Sequence, residues 1–97
     1  MRIKYEDEAK ADLIAIGEHY REIGGNQLAR RMLAKIKSDL GVLSDFSDLA
    51  PLYEIAIDIR RLVVADGTYL VFYRVTDLVQ ILHVRRGERE PFVAPLA

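Results

Sequence analysis

The period of hydrophobic and polar positions changes twice along the chain, and each change marks an element. Arg2 to Tyr5 alternates charged and apolar side chains, the period of a short strand with Ile3 and Tyr5 on its buried face. Ala9, Leu13, Ile16, Tyr20 and Ile23 then follow at gaps of four, three, four and three residues, one stripe along a helix. Asp7 stands where an N-cap is needed, and Gly24-Gly25 ends the helix where a left-handed residue is needed. Asn26 opens a second helix with the stripe Ala29, Met32, Leu33, Ile36, Leu40 and Leu43. Two amphipathic helices joined by so short a link fold back on each other as a hairpin.

Ser44 to Leu52 is rich in Asp and Ser and holds Ala50 and Pro51, so it reads as a connection. Beyond it the chain turns to β patterning. Ile59 to Val64, Tyr69 to Val75 and Val79 to Val84 are strand candidates, with Ala65-Asp66-Gly67-Thr68 as a hairpin turn. Tyr69, Val71, Tyr73 and Val75 share one face, and Leu70, Phe72 and Arg74 the other. Both faces carry apolar groups while one helical hairpin covers only one, so the second face is expected to dock a partner. Pro91 and Pro95 argue against a regular element in the tail 91–97. The expected architecture is a single α+β domain over 1–97: an N-terminal strand, an antiparallel helical hairpin and a three-stranded antiparallel meander, in two layers.

Composition narrows the class. The chain has 97 residues, enough for one modest core, and its 51% apolar content excludes disorder. It lacks cysteine, so disulfides and thiolate metal sites are excluded. Its longest apolar run, Tyr69 to Tyr73, is far below the ~18 residues a bilayer span requires. Nothing at the N-terminus reads as a signal peptide, and the expected location is the cytoplasm.

The formal net charge is −1, which argues against binding nucleic acid through bulk charge. That average conceals a split. Residues 1–59 hold 8 basic and 11 acidic side chains, a net of −3, whereas residues 60–90 hold 6 basic and 4 acidic, a net of +2. All six cations of the second region are arginine: Arg60, Arg61, Arg74, Arg85, Arg86 and Arg89. Arginine presents a planar fork of donors suited to carboxylate or phosphate, so the set reads as a binding surface. Singly, each also reads as a strand-end charge paired with neighbours such as Asp58, Glu88 or Glu90.

No motif of catalytic strength appears: no phosphate-binding loop, no dinucleotide-binding glycine pattern, no His-Glu-x-x-His. His19 lies on the charged side of the first helix. By alternation His83 falls on the same face of its strand as Val79 and Ile81, as a half-buried or partner-facing residue. Tyr20, Tyr69 and Tyr73 sit in apolar stripes and read as core. No catalytic set, metal site or cofactor is read from these residues.

Two stretches resemble the ParE/RelE superfamily of type II toxins. The first is Ala9-x-x-Asp12-Leu13-x-x-Ile16 in the opening helix. The second runs from Ile59-Arg60-Arg61-Leu62 through Tyr69-Leu70-Val71-Phe72-Tyr73-Arg74-Val75 to Ile81-Leu82-His83-Val84-Arg85-Arg86-Gly87-Glu88-Arg89. The resemblance covers Tyr5 to Glu90 and is nearest to the ParE branch. It implies a small toxin of the RelE/ParE-like two-layer fold, encoded beside an antitoxin that neutralises it.

The RelE branch cleaves mRNA on the ribosome, with basic side chains on the sheet and a Tyr or His near the C-terminus. Here Leu70 takes the strand position where that branch places an Arg, and Phe92 and Val93 stand where its Tyr is expected. The ParE branch poisons DNA gyrase by binding, without known hydrolytic residues. The resemblance therefore implies a gyrase-binding toxin that is not an enzyme, acting chiefly through Arg85, Arg86 and Arg89 with Arg60, Arg61 and Arg74 in support. The partners it implies are gyrase and a ParD-like ribbon-helix-helix antitoxin with an acidic amphipathic tail, in a hetero-oligomer, with DNA met only through them. A RelE-type endonuclease and a non-toxic antitoxin-binding module are the alternatives.

Overall fold

The computed structural model describes residues 1–53 and 56–87. Strand β1 (Ile3–Tyr5) runs straight into the helical segment α1 (Asp7–Leu40), and a 3-10 turn follows at Gly41–Ser44. Three strands complete the chain: β2 (Arg60–Val64), β3 (Tyr69–Val75) and β4 (Val79–Arg86).

A straight helix of 34 residues measures about 51 Å, longer than the whole molecule's greatest extent of 37 Å. The segment is broken at Gly25, where φ is 82° and ψ −179°. That conformation is open only to glycine, and it is extended rather than the left-handed helical turn expected there. The two arms fold back so closely that a Cβ on Gly17 of the first would lie 3.1 Å from Leu33 Cδ1 of the second. The expected hairpin forms.

Its stripes are buried at Ala9, Leu13 and Ile16, then at Ala29, Ile36 and Leu40, with Leu43 carried on by the 3-10 turn. Ile23 departs from the stripe and is 63% exposed. Residues 21–27 are all exposed, because the hairpin tip has no sheet beneath it. The N-cap is Glu6 rather than Asp7. Sheet pairing decides this: Glu6 N–H donates to Ile81 C=O at 2.9 Å, and Glu6 C=O accepts Lys10 N–H at 2.9 Å. Asp7 and Glu8 fall in the first turn, where negative charge favours the helix dipole.

The sheet order is β1-β4-β3-β2. The meander pairs antiparallel as expected, and β1 adds parallel to β4, with Ile3 opposite Val79 and Tyr5 opposite Ile81. Residues 65–68 link β2 to β3, with Ala65, Asp66 and Gly67 all at positive φ. Asp39 on the second arm steadies that turn by accepting Ala65 N–H at 2.8 Å.

One irregularity re-aims β4. Phe72 lies opposite His83 but Tyr73 lies opposite Ile81, so Leu82 is an extra residue, a β-bulge. Val79 and Ile81 face the hairpin, while His83 shares the opposite face with Phe72. The alternation expected to place His83 with Val79 and Ile81 is broken by that one residue.

Tyr69, Val71, Tyr73, Val79, Ile81 and Val84 pack against the helical arms as the main core. On the outer face Phe72 is fully buried beneath Tyr53, with Ala56, Ile59 and Leu70 around it. The Tyr53 and Phe72 rings meet edge to face, centroids 5.2 Å apart. The outer face, expected to await a partner, is thus roofed in part by the chain's own connection to β2.

Candidate functional site

The pairing divides the candidate arginines that are described, Arg60, Arg61, Arg74, Arg85 and Arg86, along the sheet. At one end, Arg60 Nη1 donates to Ala50 C=O at 2.6 Å and to Asp48 C=O at 3.4 Å, tying β2 to the preceding connection. Arg61 lies over the Tyr53 ring at 5.6 Å from its centroid, a cation–π contact on the outer face. Arg74 is exposed on that same face, with Nε donating to Gln80 Oε1 at 3.3 Å. Arg60 and Arg74 border a shared hollow with Asp48 and Asp58.

Arg85 and Arg86 occupy the other end, where β4 outruns β1. Past Ile81 the edge of β4 has no strand beside it, and the first helical arm takes that place. Val84 N–H donates to Asp12 Oδ2 at 2.9 Å, and Arg85 Nη1 donates to Asp12 Oδ1 at 3.1 Å. Arg85 Nη2 lies 3.3 Å from His83 Nδ1. A guanidinium only donates, so Nδ1 is the acceptor in this contact, and Nε2 faces Glu8 Oε1 at 3.4 Å. His83 is 6% exposed and enclosed by these groups, so within this chain it faces Glu8, Asp12 and Arg85.

Arg86 lies opposite Tyr69 on the hairpin side of the sheet and is exposed. Tyr69 donates to the Tyr20 hydroxyl at 3.2 Å. Burial, then that bond, raises the Tyr69 phenol above its ordinary value, while the nearby Arg86 charge opposes the rise. Arg85 and Arg86 flank a cleft of about 320 Å³ whose floor includes Ala15, Ile16 and Val84. Arg89, Phe92 and Val93 lie outside the described residues.

A second feature escaped the sequence pattern. Between the helical arms lies an open groove of about 510 Å³, floored by Leu13, Ile14 and Leu33, with Lys10, Arg21 and Lys37 along it. Ile14 is 63% exposed there. The available signal was small: an isoleucine beside the buried stripe and a mid-helix glycine, Gly17, which lets the arms meet.

Against this geometry the sequence profile of the ParE toxin of type II toxin-antitoxin systems, parDE, matches residues 3–91. The chain belongs to the ParE toxin family. A solved chain from the chromosomal ParDE TA system of P. aeruginosa shares the fold at a TM-score of 0.82. It is 27% identical, and the match covers 91% of this chain and 97% of that one. A search of curated proteins gives no match. No helix among the described residues of this ParE-family toxin is long and apolar enough to cross a membrane. Gly87, which ends the described part of the family-like strand, gains a structural reason. A Cβ there would lie 2.5 Å from Gly67 C=O, so the end of β4 approaches the β2–β3 turn at backbone distance.

Proposed function

We propose that this ParE-family toxin acts in the cytoplasm by binding DNA gyrase directly, with no hydrolytic step, and that a ParD-like antitoxin neutralises it. The observation that carries the preference for binding over RNA cleavage is the setting of Leu70. It lies opposite Arg85 and packs into the outer apolar cluster of Tyr53 and Phe72, so the position that resembles a basic site in the endonuclease branch is part of an apolar surface here. Arg85 and Arg86 at the open end of β4 offer guanidinium groups to an acidic surface of gyrase or to DNA held by it.

The antitoxin reading draws on the ParDE system to which the solved relative belongs. Charge and shape support an acidic, amphipathic antitoxin segment that folds as it binds. Its carboxylates meet Arg85 and Arg86 while its apolar side chains cover exposed apolar surface. Toxicity and neutralisation then compete for overlapping ground. Inducing the chain without its antitoxin, and assaying supercoiling in vitro beside mRNA integrity, tests the reading. Blocked supercoiling with intact mRNA is expected. Cleaved mRNA overturns it in favour of an endonuclease, and unaffected growth in favour of an antitoxin-binding module. Changing Arg85 and Arg86 together to Glu is expected to abolish growth inhibition and weaken antitoxin binding, and retention of both overturns the site.

A further inference from the structure

We infer that Asp12 is a positioning residue for the arginine end of the sheet, setting the direction of Arg85 as well as closing the sheet edge. The inference concerns how the proposed site is built and rests on that reading only where growth inhibition is the readout.

The argument starts from the open edge of β4. β1 is three residues long and its pairing ends at Ile81, so the backbone beyond needs another partner. Asp12 supplies it from one turn inside the first helical arm, where the neighbouring Ala9 and Leu13 anchor the helix in the core. The two carboxylate oxygens divide the contacts between them. Oδ2 takes Val84 N–H at 2.9 Å, and Oδ1 takes Arg85 Nη1 at 3.1 Å. Because Oδ2 is tied to backbone, Oδ1 is fixed in space, and Arg85 is held at a set angle rather than swinging in solvent. The second guanidinium nitrogen then reaches His83 Nδ1 at 3.3 Å, and the imidazole passes the chain of contacts on to Glu8 at 3.4 Å.

Arg74 is the internal control. It stands on the same sheet but meets a neutral amide, Gln80 Oε1, at 3.3 Å. A guanidinium bond to a fixed carboxylate, charged on both sides, is stronger than a guanidinium bond to a neutral amide. The two arginines therefore differ in what holds them: Arg74 meets one amide, whereas Arg85 meets the Asp12 carboxylate and, through its second nitrogen, His83.

The test reads the two guanidinium groups directly by NMR, as exchange rates of their side-chain N–H protons in the purified chain. Arg85 is expected to exchange about tenfold more slowly than Arg74, the factor that a charge-assisted bond supports. Equal rates overturn the inference without any substitution. Asp12→Asn keeps the shape and an oxygen for Val84 N–H but turns an NH2 group toward Arg85. Its melting temperature is expected to stay near the parent's, while Arg85 exchange rises to the Arg74 rate and growth inhibition falls to that of Arg85→Ala. Asp12→Asn with unchanged Arg85 exchange leaves Asp12 a structural edge cap and overturns the inference. If Arg85→Ala inhibits growth fully, the proposed role of Arg85 falls, and the exchange rates still decide the role of Asp12.

Discussion

The two faces of the sheet are built from alternate residues of the same strands, yet they are finished differently. The hairpin side is sealed: Val71, Tyr73, Val79 and Ile81 are fully buried against Ile36 and Leu40. On the outer side Phe72 is buried under a roof that includes Tyr53, Ala56 and Ile59, and beyond it stand exposed Arg61, Val63 and Arg74. One face holds the fold together. The other leaves cations and apolar groups at the surface.

The largest expected effect tests the sealed face. Ile36 is fully buried between the second arm and the sheet. Ile36→Ala removes most of its side chain and leaves a cavity, for an expected loss of about 2–5 kcal/mol. Urea denaturation with an unchanged slope measures it. A loss under ~0.5 kcal/mol, the size of an ordinary surface change, erases the contrast between the faces.

Next in size is the tie between the sealed face and the connection that precedes β2. The Tyr73 hydroxyl donates to Ser47 C=O at 2.9 Å and accepts Ala50 N–H at 3.3 Å. Tyr73→Phe strands both groups, and Ala50 is buried, so the expected cost is about 1–3 kcal/mol. Faster proteolysis between 45 and 53 in that variant locates the loss.

Much of this plan was readable from spacing because it depends on neighbours in sequence. The 3.6-residue stripes, Ile23 apart, the Gly24-Gly25 break and the two-residue alternation of β3 each predict what is found. What stayed hidden depends on distant partners. The bulge at Leu82 reverses the facing of His83, and no local signal announces a one-residue insertion where Ile81 and Leu82 are both apolar. Asp12 belongs to a recognisable stretch of the first helix, but the backbone and arginine it holds lie 72 and 73 residues away. The six arginines read as one set by charge alone; strand pairing sets Arg60 and Arg74 at one end and Arg85 and Arg86 at the other. The groove between the arms follows from how two helices meet, which neither stripe contains.

The faces also differ in response to alkali. Tyr69 and Tyr73 belong to the sealed face, and burial is the main cause that raises both phenols above 10. A phenol raised in the fold binds its proton more tightly there than in the unfolded chain. Its contribution is complete below pH 10 and is lost as the pH rises through its folded value. These two phenols therefore add no pH dependence to the denaturation midpoint below pH 10 and are expected to lower it above. Tyr69→Phe, which cannot ionise, is expected to shallow that fall, and an equally steep fall in the variant excludes Tyr69 as its source.

The smallest expected effect tests the outer face. Arg61 is exposed and stacked over Tyr53, itself packed on Phe72. An exposed cation–π contact contributes about 0.5–1 kcal/mol, so Arg61→Ala is expected to lower stability by that amount at most. Val63→Thr, at a side chain 56% exposed, is expected to stay within about 0.5 kcal/mol of the parent. Paired with Ile36→Ala, these variants measure the division of labour directly. Should Arg61→Ala cost as much as Ile36→Ala, the roof over Phe72 is a second core, and the outer face is built for stability before contact.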